Sequence, residues 1–152
     1  MSSNLEKVKT KTEEFFEKIG VSGEITIEEK DGYFYLTLKN DEPASLIGYH
    51  GQTLESLQLI LNLILTKHLG EYVKTVLDIS DWRKRREDTL REMAQKTAIK
   101  AKFSGSLQIL SGLNAFERRI IHLVLQDHPD VTTQSEGEDE ERVIKILPKT
   151  KD

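Results

Sequence analysis

The chain has 152 residues, of which 37% are apolar, 32% charged and 7% aromatic, a lean supply for one large core that suits two compact α+β units better. No apolar run approaches the roughly 18 residues of a membrane-spanning helix, and the start of the chain lacks a basic-then-apolar leader; a soluble cytoplasmic protein without membrane insertion is expected. The net charge of −4 hides a polarised distribution: residues 83–126 carry ten basic and four acidic side chains, a local charge of +6, whereas residues 1–42 carry six and ten and residues 127–152 carry four and eight.

In chain order, Leu5, Val8, Phe15, Phe16 and Ile19 recur at near-helical spacing, and Gly20 ends that helix. Ile25 and Ile27 share one face of a first strand, and Phe34, Leu36 and Leu38 share one face of a second. Asp31-Gly32 between them is a hairpin signal. Pro43 opens a short helix over Ala44–Ile47, which runs into Gly48-Tyr49-His50-Gly51. From Gln52 to about Leu69 the pattern is helical again, with Leu54, Leu57, Leu61, Ile64 and Leu65 on the main face. Val73, Thr75, Leu77 and Ile79 then alternate as a third strand. Residues 1–80 therefore read α-β-β-α-α-β.

Ser80 or Asp81 is placed to cap a helix of about 20 residues, on which Leu90, Met93, Ala94, Thr97, Ala98 and Ala101 follow the helical period. Its first turn holds Trp82 and the run Arg83-Lys84-Arg85-Arg86, and Ser104-Gly105 stops it. Leu107–Leu110 is a short strand. Asn114 and Glu117 form a capping-box pattern for a helix reaching about Gln126, with Phe116, Ile120, Leu123 and Val124 as its buried side. After Pro129, Val131–Ser135 and Arg142–Leu147 read as a hairpin around an acidic loop. Residues 81–152 therefore read α-β-α-β-β, a second domain beginning with the basic helix.

Three features carry chemistry. Gly48 and Gly51, three apart and directly before a helix N-terminus, suit a tight turn whose backbone N–H groups meet phosphate. Taken alone, the spacing marks only a turn. Set between an upstream hairpin, a short helix and a strongly amphipathic one, it resembles the loop of a type II KH domain, which clamps about four nucleotides of single-stranded backbone. The variable pair in RNA-binding KH domains usually includes lysine or arginine; here it is Tyr49-His50, so the clamp would rest on N–H groups, a phenol ring and an imidazole.

The second feature is Arg118 with His122, four apart on one helix face, beside Arg119. An Arg-x-x-x-His spacing arises often by chance on a solvated face. Within Leu113–Gln126, with its asparagine cap and following proline and hairpin, it resembles the single-strand-binding R-three-H domain, in which the pair is associated with phosphate or bases. A type II KH domain followed by an R-three-H domain resembles the Jag (KhpB) family of bacterial cytoplasmic RNA-binding proteins. That resemblance implies RNA binding, a link to cell elongation and envelope control, and pairing with a small KH protein. Members often carry a further N-terminal domain, so a short or truncated member is expected here.

The third feature is the run Arg83, Lys84, Arg85 and Arg86, which points around the helix in every direction and is offset by Glu87, Asp88 and Glu92. As a ridge joining the two modules, it would let one RNA strand pass from the loop to Arg118, Arg119 and His122. Trp82 reads as a packing anchor rather than a base-stacking platform; Tyr33 and Tyr35, on the hairpin face opposite Phe34 and Leu36, offer rings on which bases could stack, with partial burial the favoured reading. No P-loop, GxGxxG, GxSxG or His-Glu-x-x-His motif is present. Without cysteine, and with His50, His68, His122 and His128 scattered, disulfides, thiol catalysis and thiolate metal sites are excluded. No enzyme, cofactor or metal is expected. The expected ligand is single-stranded RNA. The competing class is an interaction module whose KH surface binds a small KH partner or a second copy with little RNA affinity.

Overall fold

The computed structural model describes residues 3–150, which divide into two packed units between Arg83 and Lys84. The first unit contains α1 (Ser3–Lys18), β1 (Glu24–Lys30), β2 (Tyr33–Lys39), α2 (Ala44–Ile47), α3 (Gln52–Leu69) and β3 (Lys74–Ile79). The order is the α-β-β-α-α-β expected. β1 and β2 are an antiparallel hairpin in which Lys30 faces Tyr33, and β2 runs parallel to β3 with Leu36 beside Leu77 and Leu38 beside Ile79. Because side chains alternate across a sheet, this register puts Phe34, Leu36, Leu38, Thr75, Leu77 and Ile79 on one face. Val8, Thr12 and Phe16 of α1 and Leu54, Leu61 and Leu65 of α3 close over that face as one buried core. Thr12 is tolerated there because its hydroxyl donates to the Val8 carbonyl at 2.7 Å. Ile19, expected on the buried face of α1, lies past the helix end and is exposed.

The second unit follows from α4 (Trp82–Ser104), β4 (Gln108–Leu110), α5 (Ala115–Leu125), β5 (Val131–Glu136) and β6 (Val143–Pro148). Its antiparallel sheet has the order β4-β6-β5. Leu90, Ala94, Ala98 and Ala101 of α4 pack with Ile120, Ile121, Leu125, Val131, Ile144 and Ile146. Three alanines on that stripe leave room for close packing against larger neighbours.

Ser80 and Asp81, expected to cap α4, directly precede its first residue, Trp82. Both take positive φ, 49° and 56°, and the Ser80 hydroxyl exchanges hydrogen bonds with the Asn40 backbone. The Asp78 carboxylate accepts the N–H of Arg83 at 3.3 Å, in the first turn of the helix. Arg83 also reaches back through its guanidinium to the Leu77 carbonyl, which ties it to the first unit, three residues beyond the expected division at residue 80.

Candidate nucleic-acid interface

α2 ends at Ile47, whose side chain is buried, and the chain turns through Gly48 to the opening of α3. Gly48 (φ 72°) and Gly51 (φ 79°) both take left-handed conformations that favour glycine. Space forbids a side chain at either. A Cβ on Gly48 would lie 2.1 Å from Thr53 Oγ1, and one on Gly51 would lie 2.9 Å from the Trp82 indole nitrogen. Trp82 is partly buried against the first core, so the expected packing anchor also forms one wall of the loop. His50 shares the left-handed backbone (φ 51°) and is half-buried. Its ring centre lies 4.0 Å from that of Tyr49 in an edge-on contact, and Tyr49 is 69% exposed. The Gln52 N–H is taken by the Tyr49 carbonyl, so the loop leads directly into the start of α3, whose end carries the partial positive charge of the helix dipole. The loop thus offers a dipole end and an open phenol ring, without a lysine or arginine.

In the same unit, a groove of about 290 Å³ runs between α3 and β3, lined by Glu55, Asn62, Tyr72, Lys74 and Tyr33 among others. Sequence reading missed it. Parallel pairing sets Tyr33 next to Lys74, and the Lys74 ammonium lies 5.2 Å from the Tyr33 ring centre. Tyr72, 72% exposed, sits in the turn before β3. Two phenol rings and a cation around polar amides are the components of a base-stacking groove. Tyr33 and Tyr35 are somewhat more open than expected, with rings 6.1 Å apart. The sequence pointed to the Tyr33 ring, while the aromatic–basic pair around a turn at Tyr72 and Lys74 was the signal passed over.

In the second unit the expected capping box forms: the Asn114 side chain accepts the Glu117 N–H at 2.8 Å, and Glu117 accepts the Asn114 N–H at 3.3 Å. Glu117 is only 2% exposed, and its other oxygen receives Arg86 Nε at 2.7 Å. A buried carboxylate survives only when paired and hydrogen-bonded, and Arg86 is the counter-ion that pairs with it. This pairing also turns α5 relative to expectation. Glu117, Ile120, Ile121 and Leu125 are the buried residues, which leaves Phe116 and Leu123 exposed, not buried. Arg118 and His122 lie on one flank of the stripe, Phe116 and Leu123 on the other, and Arg119 points outward.

Arg118 and His122 share a face as expected, and both are engaged within the protein. Arg118 is half-buried and donates to the Leu113 carbonyl at 2.5 Å, and His122 Nδ1 is 2.5 Å from the Thr133 hydroxyl on β5. These bonds hold the pair in place with the remaining guanidinium donors and the second imidazole nitrogen unaccounted for by them. In the basic run, Arg83 is spent on Leu77 and on the Gln58 amide oxygen at 2.9 Å. Of the four consecutive basic residues, Arg83, Lys84 and Arg85 are exposed and Arg86 is half-buried, while Arg83 and Arg86 also brace the fold.

The chain matches the KH domain of KhpA/KhpB over residues 6–79 and the R-three-H domain over residues 88–148. Loop, groove and Arg-x-x-x-His helix therefore sit in a protein of mixed α+β class that joins a KH domain to an R-three-H domain. It is 36% identical over 136 residues to the RNA-binding protein KhpB of Clostridium symbiosum, a match that covers 88% of this chain and 61% of that relative. It is 33% identical over 129 residues to the RNA-binding protein KhpB of Lactiplantibacillus plantarum, covering 85% and 40%. Against the RNA-binding protein KhpB of Bacillus subtilis the values are 32% over 136 residues, 88% and 65%. The chain belongs to the KhpB family and spans between 40% and 65% of the length of these curated relatives. Among the described residues no helix is long and apolar enough to cross a membrane, and no group of three or more acidic or histidine side chains is placed to hold a metal ion.

Proposed function

We propose that this chain is a non-catalytic, cytoplasmic RNA-binding protein that grips the backbone of single-stranded RNA, with no cofactor. Residues 1–80 act as the KH domain and residues 81–152 as the R-three-H domain. In the first, phosphate meets the Gly48–Gly51 loop at the start of α3, and bases follow into the groove of Tyr33, Tyr72 and Lys74. In the second, Arg118, Arg119 and His122 contact the strand, with Lys84 and Arg85 adding to the local field; Arg83 and Arg86 support the site without touching RNA. The observation that carries this reading is the loop, where two left-handed glycines are hemmed in by Thr53 and Trp82. Such a shape brings backbone close to a ligand and gives a plain turn no advantage. As the family resemblance implies, the RNA contacts serve control of bacterial cell elongation and the envelope.

Fluorescence anisotropy with a short labelled single-stranded RNA tests the reading. Wild-type protein is expected to bind it more tightly than double-stranded DNA. Tyr49→Asp with His50→Asp places two carboxylates where phosphate sits, and should reduce binding while the fold persists. Equal affinity in the double variant would remove the loop from the interface.

One observation favours a second role for the same domain. Leu59, Ile60 and Leu63 form an exposed apolar ridge on α3, suited to pairing with a small KH protein or a second copy. Sedimentation of wild type against Leu63→Glu tests this; an unchanged mass distribution, with and without a KH partner, would refute it.

A further inference from the structure

The rotated α5 leaves a shallow groove against α4 within the second unit, lined by Glu87, Arg91, Phe116, Arg119, Ile120 and Leu123, with a volume of about 240 Å³. Phe116 is 70% exposed and makes no ring contact among the described residues. An aromatic ring this open on a helix that has a well-packed apolar stripe of its own contributes little to folding. Arg119 beside it has no hydrogen bond or ion pair among the described residues. Arg91 is paired with Glu87 at 2.9 Å, so the groove carries one net positive charge, supplied by Arg119. A second exposed phenylalanine in this unit, Phe103, differs on this point: of its neighbouring lysines, Lys102 pairs with Asp130 at 3.1 Å and Lys149 donates to the His128 carbonyl at 2.8 Å. Of the two rings, that of Phe116 stands next to an uncommitted cation.

We infer that this groove is a subsite for one unpaired nucleobase of single-stranded RNA, stacked on Phe116 with its phosphate neutralised by Arg119. The inference rests on the RNA-binding reading above and extends it to residues outside the Arg118–His122 pair. The size agrees: the groove is smaller than the roughly 300 Å³ at which enclosed small-molecule sites begin, and it suits a single flat ring with ribose and phosphate left outside. The charge agrees as well. One guanidinium faces one phosphate, and the Glu87–Arg91 pair offers both an acceptor and donors to the base edge. Stacking on an aromatic ring tolerates any base, so the subsite adds affinity without strong sequence preference.

The test is anisotropy titration at low salt with a short single-stranded RNA and an abasic oligomer of the same length. Phe116→Ala should weaken RNA binding about tenfold, Phe116→Leu should do the same, and Phe116→Trp should stay within about twofold of wild type. Wild type and Phe116→Ala should bind the abasic oligomer equally. Thermal melting should be unchanged in all three variants, because the ring is exposed. Wild-type affinity in Phe116→Ala, alongside weakened binding in Tyr49→Asp/His50→Asp, would overturn the subsite and leave the RNA reading standing. Retained affinity in Phe116→Leu would show an apolar contact in place of stacking. Absence of RNA binding by the wild type would overturn both.

Discussion

At the Gly48–Gly51 loop the backbone provides the shape. Thr53 and Trp82 press against two glycines, an imidazole is folded into the left-handed region, and no basic side chain is present. On α5 the side chains provide it: a buried Arg86–Glu117 pair anchors the capping box, and Arg118 and His122 are each held by a hydrogen bond to a neighbouring segment. The first region is preorganised by steric exclusion and the second by a low-dielectric ion pair. They should therefore fail differently. Steric preorganisation is lost when any side chain is added, and electrostatic preorganisation when one partner is removed.

The largest effect is expected at the ion pair. Arg86→Ala strands a buried carboxylate and should destabilise the second unit by about 3–5 kcal/mol in urea unfolding. Arg86→Met combined with Glu117→Leu should cost less than either single substitution, since it removes the uncompensated charge. If Arg86→Ala leaves stability intact and lowers RNA affinity alone, Arg86 is an RNA contact and the contrast between the regions collapses. At the loop, Gly48→Ala adds a Cβ against the Thr53 side chain at a positive φ, and should cost about 1–3 kcal/mol while weakening RNA binding. Affinity equal to wild type would mean that loop shape is irrelevant to binding. Asn114→Ala removes one half of the capping box and should cost about 1 kcal/mol in thermal or urea unfolding. The smallest effect sharpens the comparison. Tyr49→Lys gives the loop the charge it lacks, and should tighten binding while making the slope of log K against log salt steeper by about 0.7.

Element order was legible in the sequence because hydrophobic period and turn residues agree along the chain: the Asp31-Gly32 hairpin, the amphipathic α3 and the Asn114–Glu117 box each depend on neighbours within a few positions. The motif residues Gly48, Gly51, Arg118 and His122 were legible for the same reason. What escaped was set by distant partners. Arg83 is committed to Gln58, 25 residues away, and Arg86 to Glu117, 31 residues away. Nothing local distinguishes them from Lys84 and Arg85. The face of α5 was misplaced because Phe116, Ile120, Leu123 and Val124 follow the helical period as well as the buried stripe does. Once Glu117 is buried by Arg86, the stripe moves by one position and Phe116 and Leu123 emerge. The Tyr33–Tyr72–Lys74 groove depends on parallel pairing of β2 with β3, which no sequence period specifies.

The central claim is that both regions meet the phosphate backbone of single-stranded RNA, and the salt dependence of binding tests it most directly. With roughly three to five phosphates neutralised, log K for a short single-stranded RNA should fall against log salt with a slope of about −2 to −4. A slope near zero, or no binding at low salt, would contradict the account.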